Sequence, residues 1–264
     1  MPADDLAARF LALHAGDSPL LMPNPWDAGS ARILQWLGFP ALATTSSGFA
    51  MTLGRSDGAV SCEEALNHAA DIVAAVGVPV SADLENGFAG DLTGVAETYA
   101  AAVEVGLAGA SIEDYSGEAL FSIDEAAERV TAAVEAADGK LVITARAENH
   151  IRGNPDLADT IARLQRYQQA GAQVLFAPGV TTVTELRSLL AEVDRPVNVL
   201  LLPGGASVAE LAELGVGRIS VGGAFAYAAL SALVESGRDL LAGGTGYLEA
   251  MTVGRAAARD ALGE

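Results

Sequence analysis

The 264-residue chain has a single cysteine, Cys62, few aromatic residues (5%) and a large excess of acidic side chains that gives a formal net charge of −19. One cysteine excludes a disulfide bond within the chain and is consistent with a reducing cytoplasm. The acidic balance argues against nucleic acid or an anionic membrane surface as a partner, because both repel negative charge. The sequence has no uncharged apolar run long enough to span a membrane, so no membrane span is predicted. Its N-terminus has no basic region followed by an apolar region, so it does not resemble a signal peptide.

Small and aliphatic side chains are abundant instead, and apolar residues make up 51% of the sequence. Short apolar runs recur along the chain with interiors of Val, Ile, Leu and Ala and little polar alternation, which is typical of buried parallel strands. We therefore predict eight parallel strands, at residues 19–22, 41–44, 78–82, 109–112, 141–145, 173–176, 197–201 and 218–221.

Amphipathic stretches separate these runs, and most of them end at a glycine before the next strand, as helices commonly do. They predict helices at residues 63–76, 93–105, 123–137, 157–170, 183–191 and 207–214. Eight strand–helix units favour a (β/α)₈ barrel of the TIM type, and no G-x-G-x-x-G motif follows the first strand to indicate a dinucleotide-binding fold. We expect a single α/β-barrel domain over residues 1–264, with a short N-terminal helix and a C-terminal helical extension.

Acidic residues follow several of the predicted strands, where a (β/α)₈ barrel places its functional groups. Four consecutive strand-end regions carry them: Asp57, Asp83 with Glu85, Glu113 with Asp114, and Glu148. Any one of these acids alone is equally well interpreted as a helix cap, a solvated turn or a salt-bridge partner. Carboxylates collected on one rim repel each other unless a cation lies among them, and an all-oxygen donor set suits Mg²⁺. The three histidines show no zinc-site spacing, which argues against a softer metal.

Two further features at the strand ends have the chemistry to bind an anion. Arg146 ends an apolar strand, where it can pair with a rim acid, hold a substrate carboxylate through two parallel hydrogen bonds, or do both. Residues 46–48, Ser-Ser-Gly, are predicted to form a small flexible turn whose backbone N–H groups can cradle an anion.

Several segments in order along the chain resemble the isocitrate lyase/phosphoenolpyruvate mutase superfamily, and in particular its phosphonomutase and methylisocitrate lyase-like members. The segments are residues 23–31, 47–48, 54–57, 82–87, 111–114, 143–146 and 221–223. The resemblance implies an α/β barrel, a homodimer or homotetramer, and C-terminal helices from about residue 223 that are exchanged between subunits. It also implies a small 2-oxo acid or dicarboxylate ligand and a Mg²⁺ cofactor, with Mn²⁺ as the alternative.

The resemblance also implies roles for individual residues. Asp83 corresponds to the direct metal ligand, and three other acids correspond to groups that act through metal-bound water: Asp57, Glu85 and Glu113. The substrate is expected to be held by Ser47, Gly48 and Arg146, with Thr45 and Asn198 as further pocket residues. Asp57, Glu113 and Arg146 are the expected catalytic residues.

Residues 115–121 depart from the resemblance. Lyase members of the superfamily carry a Lys-Lys-Cys-Gly-His type loop after the fourth strand, whereas this segment contains no cysteine, lysine or histidine. Glu85 and Thr45 also differ from the Asp and the aromatic residue that many members have. We therefore predict carbon–carbon cleavage of a small 2-oxo acid through a metal-stabilised enolate, such as decarboxylation or hydrolysis of an oxaloacetate-like substrate. The alternatives are carbon–phosphorus chemistry of the phosphonopyruvate hydrolase or phosphoenolpyruvate mutase type, and a barrel that binds 2-oxo acids with little catalysis.

Overall fold

The structure, a computed structural model, describes residues 3–263 and contains eight parallel strands in this part of the chain. They are β1 (Leu20–Met22), β2 (Leu42–Ala43), β3 (Val80–Asp83), β4 (Gly109–Glu113), β5 (Val142–Arg146), β6 (Val174–Phe176), β7 (Val197–Leu200) and β8 (Arg218–Ser220). The sheet order is β1-β8-β7-β6-β5-β4-β3-β2. Between its two ends, the Ala43 N–H donates to the Pro23 carbonyl at 3.1 Å. The prediction of a (β/α)₈ barrel is confirmed.

Helices alternate with the strands, and two more follow β8. They are α1 (Ala3–Ala12), α2 (Ala28–Trp36), α3 (Ser46–Thr52), α4 (Cys62–Ala75), α5 (Leu92–Val105), α6 (Ile123–Ala137), α7 (Leu157–Gln169), α8 (Val183–Leu190), α9 (Val208–Glu213), α10 (Ala224–Leu241) and α11 (Tyr247–Leu262). The predicted helices agree with α4 to α9 within a few residues, and the N-terminal helix and C-terminal extension are both confirmed. Sequence analysis missed α2 and α3, which are short and take their start from the caps Asp27 and Thr45.

The prediction of a flexible turn at residues 46–48 is wrong, because these residues form the first turn of α3. Thr45 is the N-cap, and its side-chain oxygen accepts the Gly48 N–H at 3.4 Å. A side-chain acceptor at this position satisfies one of the free N–H groups at a helix start and favours the helix over a turn.

The N-terminal helix closes one end of the barrel. Phe10 on α1 is fully buried, and an added Cβ at Gly109 would lie only 2.8 Å from the Phe10 ring and from the Val142 carbonyl. Glycine at this position therefore lets the aromatic ring pack against the strands. With this end filled, the opposite end, where the strands finish, is the open one.

The C-terminal helices α10 and α11 expose many apolar side chains. Leu241 is 91% exposed, Val253 73% and Leu233 67%, and α11 contains no buried residue. Between residues 3 and 263, no helix is both long and apolar enough to cross a membrane.

Candidate active site

A cavity of about 220 Å³ opens at the C-terminal ends of the strands. It is lined by six of the residues that the sequence singled out: Thr45, Ser47, Asp57, Asp83, Arg146 and Asn198. Its deeper wall is made of small or polar side chains that include Ala43, Ser81 and Ser111. Barrel interiors are usually filled by large branched residues, so these small side chains are what leaves space for a ligand.

Asp83 ends β3 and forms hydrogen bonds on both carboxylate oxygens. Its Oδ1 accepts from Arg146 Nη1 at 2.9 Å and from Ser111 Oγ at 3.3 Å. Its Oδ2 accepts only one long bond, from the Ser46 N–H at 3.4 Å. Oδ1 is therefore held by the Arg146 guanidinium, whereas Oδ2 accepts a single long hydrogen bond.

Arg146 lies at the centre of the acidic rim. Its guanidinium contacts Asp83 at 2.9 Å, Glu148 at 2.9 Å and Glu113 at 3.2 Å. Although burial alone would lower the pKa of Arg146, these three carboxylates raise it well above its ordinary value. The structure thus shows Arg146 paired with rim acids, which compensate its positive charge, and its binding of a substrate carboxylate stays a prediction.

The remaining acids are crowded together and partly desolvated. Burial, followed by the charges of Asp83 and Asp57, raises the pKa of Glu85 to about 7. Burial also raises the pKa of Glu113 despite the nearby Arg146, and Glu148 and Asp83 add to the increase. Carboxylates in this state favour an additional proton or an additional cation among them.

The segment from Thr45 to Gly48 forms the wall beside Asp83. Ser47 lines the cavity, and its hydroxyl lies 3.2 Å from Thr45 Oγ1. Gly48 does not line it: the residue is buried, and an added Cβ would lie 2.6 Å from Thr45 Cγ2 and 3.3 Å from the Ala226 side chain. Gly48 therefore allows close packing beside the wall, and its role in substrate binding stays a prediction.

Asp57 and Asn198 lie on opposite parts of the cavity wall. Asp57 is exposed in the loop before α4 and lines the cavity mouth. Asn198 on β7 is 2% exposed, and its amide nitrogen donates to Ser220 Oγ at 2.9 Å. Glu85 and Glu113 do not line this cavity, but Glu85 lines a small adjoining pocket together with Thr45, Ser46 and Asp83.

Asp114 has a supporting role beneath the rim. Its carboxylate accepts from Tyr167 Oη at 2.6 Å, Arg163 Nη1 at 2.8 Å and the Glu148 N–H at 2.8 Å. This agrees with the interpretation of Asp114 as a salt-bridge partner. Through it, β4 and α7 together fix the backbone of Glu148.

Residues 115–121 form a tight hairpin next to the rim. Tyr115 and Leu120 form an antiparallel bridge, and the Ser116 hydroxyl donates to the Ala119 carbonyl at 2.9 Å. Arg152 stacks on the Tyr115 ring at 3.9 Å and lies 3.5 Å from Glu148 Oε2. Arg152 thus adds a second cation to the rim, which the sequence analysis did not identify.

Arg218, whose side chain lines the cavity, was not among the predicted site residues. Its guanidinium contacts Asn198, Thr144 and His14 in the barrel interior. The signal was the same one that identified Arg146, a charged residue within an apolar strand. Arg218 begins its strand, whereas a (β/α)₈ barrel is expected to place its functional groups where strands end.

The oxygen donors at the rim fit a hard divalent cation. Among the side chains of residues 6–263, no three carboxylates, histidines or cysteines converge closely enough to bind one metal ion by themselves. Mg²⁺ commonly takes one or two carboxylates and keeps several waters. The weakly occupied Oδ2 of Asp83, beside acids whose pKa values are raised by their neighbours, is consistent with that mode of binding.

The fold and this site together define a (β/α)₈-barrel enzyme with its polar groups on the C-terminal rim. The sequence matches the family model described as phosphoenolpyruvate phosphomutase over residues 10–241, and the chain belongs to this family. The predicted membership of the isocitrate lyase/phosphoenolpyruvate mutase superfamily is thereby confirmed, and its relatives support a carbon–carbon lyase.

Three similar proteins illustrate the range of the family. A crystal structure of a candidate lyase/mutase from Burkholderia cenocepacia J2315 is 45% identical, with a TM-score of 0.93 over 97% of this chain and 96% of that one. Oxaloacetate decarboxylase from Pseudomonas fluorescens is 30% identical over 89% of this chain and 84% of its own. Oxaloacetate acetylhydrolase in complex with oxalate is 25% identical, with a TM-score of 0.82 over 90% of this chain and 87% of that one. The same enzyme has also been solved with the inhibitor 3,3-difluorooxalacetate.

Proposed function

We propose that this enzyme cleaves a carbon–carbon bond in a small 2-oxo acid, by decarboxylation or hydrolysis of an oxaloacetate-like substrate. The observation that carries the proposal is the cavity in which Asp83 and Arg146 meet the hydroxyl groups of Ser47 and Ser111. Two relatives named for oxaloacetate support this substrate class. Residues 115–121 contain no cysteine, so this segment cannot supply the general acid that the cysteine-dependent lyases use.

The proposal includes a divalent metal, Mg²⁺ or alternatively Mn²⁺. Asp83 would hold it directly, and Asp57, Glu85 and Glu113 would act through water. When bound, the metal supplies Lewis-acid stabilisation of the negative charge that develops on the substrate's oxo oxygen.

The chain's own residues would bind the substrate and handle its protons. The Ser47 hydroxyl would bind the substrate carboxylate, and Arg146, held in place by three acids, would stabilise developing negative charge from a fixed position. Glu85, whose pKa is raised to about 7, has the affinity to hold or release a proton near neutral pH, which general acid–base catalysis requires.

Carbon–phosphorus chemistry is the second candidate. It is favoured by the match of residues 10–241 to the phosphoenolpyruvate phosphomutase model. Release of inorganic phosphate from phosphonopyruvate, with no turnover of oxaloacetate, would select it over carbon–carbon cleavage.

Replacement of Asp83 tests the proposal. With oxaloacetate and Mg²⁺, we expect Asp83→Ala to lose at least about a hundredfold in kcat/KM, a change of about 2.7 kcal/mol, because it removes the proposed direct ligand. The matched control is Glu97→Ala, since Glu97 is an exposed carboxylate on α5 away from the cavity, and it should retain wild-type turnover. Metal-dependent turnover that survives in Asp83→Ala would contradict the proposal.

We also propose that residues 1–264 form one domain and that helices from about residue 223 are exchanged within a homodimer or homotetramer. The exposed apolar side chains of α10 and α11 support this arrangement. A cytoplasmic location is part of the same proposal, and it rests on the lone cysteine.

A further inference from the structure

Arg218 is a buried cation with uncharged partners. Its Nε donates to Asn198 Oδ1 at 2.9 Å, Nη1 and Nη2 donate to Thr144 Oγ1 at 3.2 Å, and Nη1 donates to His14 Nε2 at 3.3 Å. Among the side chains of residues 6–263, no carboxylate lies within salt-bridge distance of it, and the residue is 3% exposed. A buried charge with no anion beside it is costly. Burial therefore lowers the pKa of Arg218 to about 9.

The two buried arginines that line the cavity differ in their charge balance. Arg146 contacts three carboxylates, so a ligand anion that binds it must compete with them. Arg218 has no such competitor among the described residues. A ligand anion would therefore gain more from Arg218 than from Arg146.

The cavity floor gives a ligand access to Arg218. Arg218 lines the cavity together with Ala43, Ser81 and Ser111, whose small side chains leave the space open. Thr144, which contacts Arg218, precedes Arg146 by two residues on β5, so their inward side chains stand roughly 7 Å apart along the strand. A ligand whose first end binds at the rim therefore places its other end in the layer of side chains below.

Donor groups also remain for a ligand at this floor. A guanidinium has five N–H groups, and the four contacts of Arg218 leave one of them. Ser220 Oγ accepts the Asn198 amide at 2.9 Å, so its own hydroxyl hydrogen points elsewhere, and both residues line the cavity.

We infer that Arg218 selects substrates with a second carboxylate, by binding the distal carboxylate of a four-carbon 2-oxo diacid at a floor completed by Asn198 and Ser220. The inference rests on the proposed function and adds to it the part of the substrate that the enzyme recognises. Arg218 acts here as a specificity residue that recognises the distal carboxylate, while the 2-oxo acid end of the substrate is held at the rim.

Two ligands of different length separate the floor from the rim. In the presence of Mg²⁺, calorimetric titration would measure Kd for 3,3-difluorooxaloacetate, which spans both levels, and for oxalate, which is long enough for the rim only. We expect Arg218→Met to weaken 3,3-difluorooxaloacetate at least about tenfold, or about 1.4 kcal/mol, and to leave the Kd for oxalate within about twofold. Arg218→Gln keeps side-chain hydrogen bonding without the charge, should show the same pattern, and serves if the Met variant does not fold.

Arg129→Met is the matched control. Arg129 is 2% exposed and donates to two uncharged groups, the carbonyls of Asn86 and Ala89, outside the cavity. Its replacement should leave the ratio of the two Kd values unchanged. Equal weakening of both ligands in the Arg218 variants, or no weakening of either, overturns the inference. If the wild-type enzyme binds neither ligand with Mg²⁺, the proposed function itself fails, and this inference falls with it.

Discussion

His14 is a buried histidine whose two ring nitrogens are both engaged. Nδ1 donates to the Phe10 carbonyl at 3.0 Å, so Nε2 carries no proton and accepts from Arg218 at 3.3 Å. Burial, together with the charge of Arg218, lowers the pKa of His14 to about 4. The imidazole therefore stays neutral in the folded protein under ordinary conditions.

The lowered pKa predicts a loss of stability in mild acid. In the unfolded chain His14 takes up a proton near pH 6.5, whereas in the folded protein it does so near pH 4. Its neutral form therefore costs no stability above pH 6.5, and stability falls as the pH drops from 6.5 towards 4, by about 3 kcal/mol in full. Urea unfolding of the wild type and of a variant without the imidazole, at pH 7.5, 6 and 5, should show this contribution as a difference in slope, because Glu85 and Glu113, with raised pKa values, act in the opposite direction in both proteins. His14→Gln, which cannot titrate, should decline less steeply, and equal slopes would contradict the assignment.

Residues at the rim were predictable to different degrees. The acids and Arg146 were identifiable because charged side chains at the ends of apolar strands are unusual without a partner or a ligand. The pairing of Arg146 with Asp83, Glu113 and Glu148 was not, since it depends on three strands meeting in space. The substrate-binding role of Gly48 stays a prediction from the resemblance, whereas its close packing against Ala226 depends on the start of α3 and was not predictable.

At the level of elements, Asp114 joins β4, β5 and α7 beneath the site. We expect Asp114→Asn to lower the free energy of unfolding by about 2–3 kcal/mol, because it removes the buried negative charge that accepts from Arg163 and Tyr167, while Arg163 keeps its second carboxylate, Asp159. The control is Asp124→Asn, since the Asp124 side chain is 84% exposed and pairs with Arg166 on the surface. It should cost less than about 1 kcal/mol. Comparable losses in the two variants, measured by urea unfolding, would exclude the supporting role of Asp114.

The elements themselves were mostly readable from the sequence. Strand positions followed from apolar runs, and helix ends from glycines such as Gly106, which adopts a left-handed conformation at the end of α5. The short α2 and α3 escaped because their helical character comes from local caps and from packing against neighbours, and periodicity over seven to nine residues is weak.

At the level of the whole molecule, the exposed apolar surface of α10 and α11 predicts self-association. Light scattering after size-exclusion chromatography should give the mass of a dimer or tetramer. We expect the double substitution Leu233→Glu and Leu241→Glu to reduce that mass, because it places charge on the exposed apolar surface of α10. The control is Leu92→Glu, at an exposed apolar position on α5, and it should leave the mass unchanged. A monomeric wild type would refute the prediction.

The pairing of β1 with β8 joins residues that lie almost 200 positions apart in the chain, with Leu20 opposite Arg218. Asn24 reinforces the junction by accepting the N–H groups of Val221 and Gly222. Contacts of such long sequence separation form late, because the intervening loop must first be closed. During synthesis on the ribosome, the cavity therefore cannot exist until β8 has emerged, and a nascent chain that lacks it has neither floor nor closed wall for a ligand to stabilise.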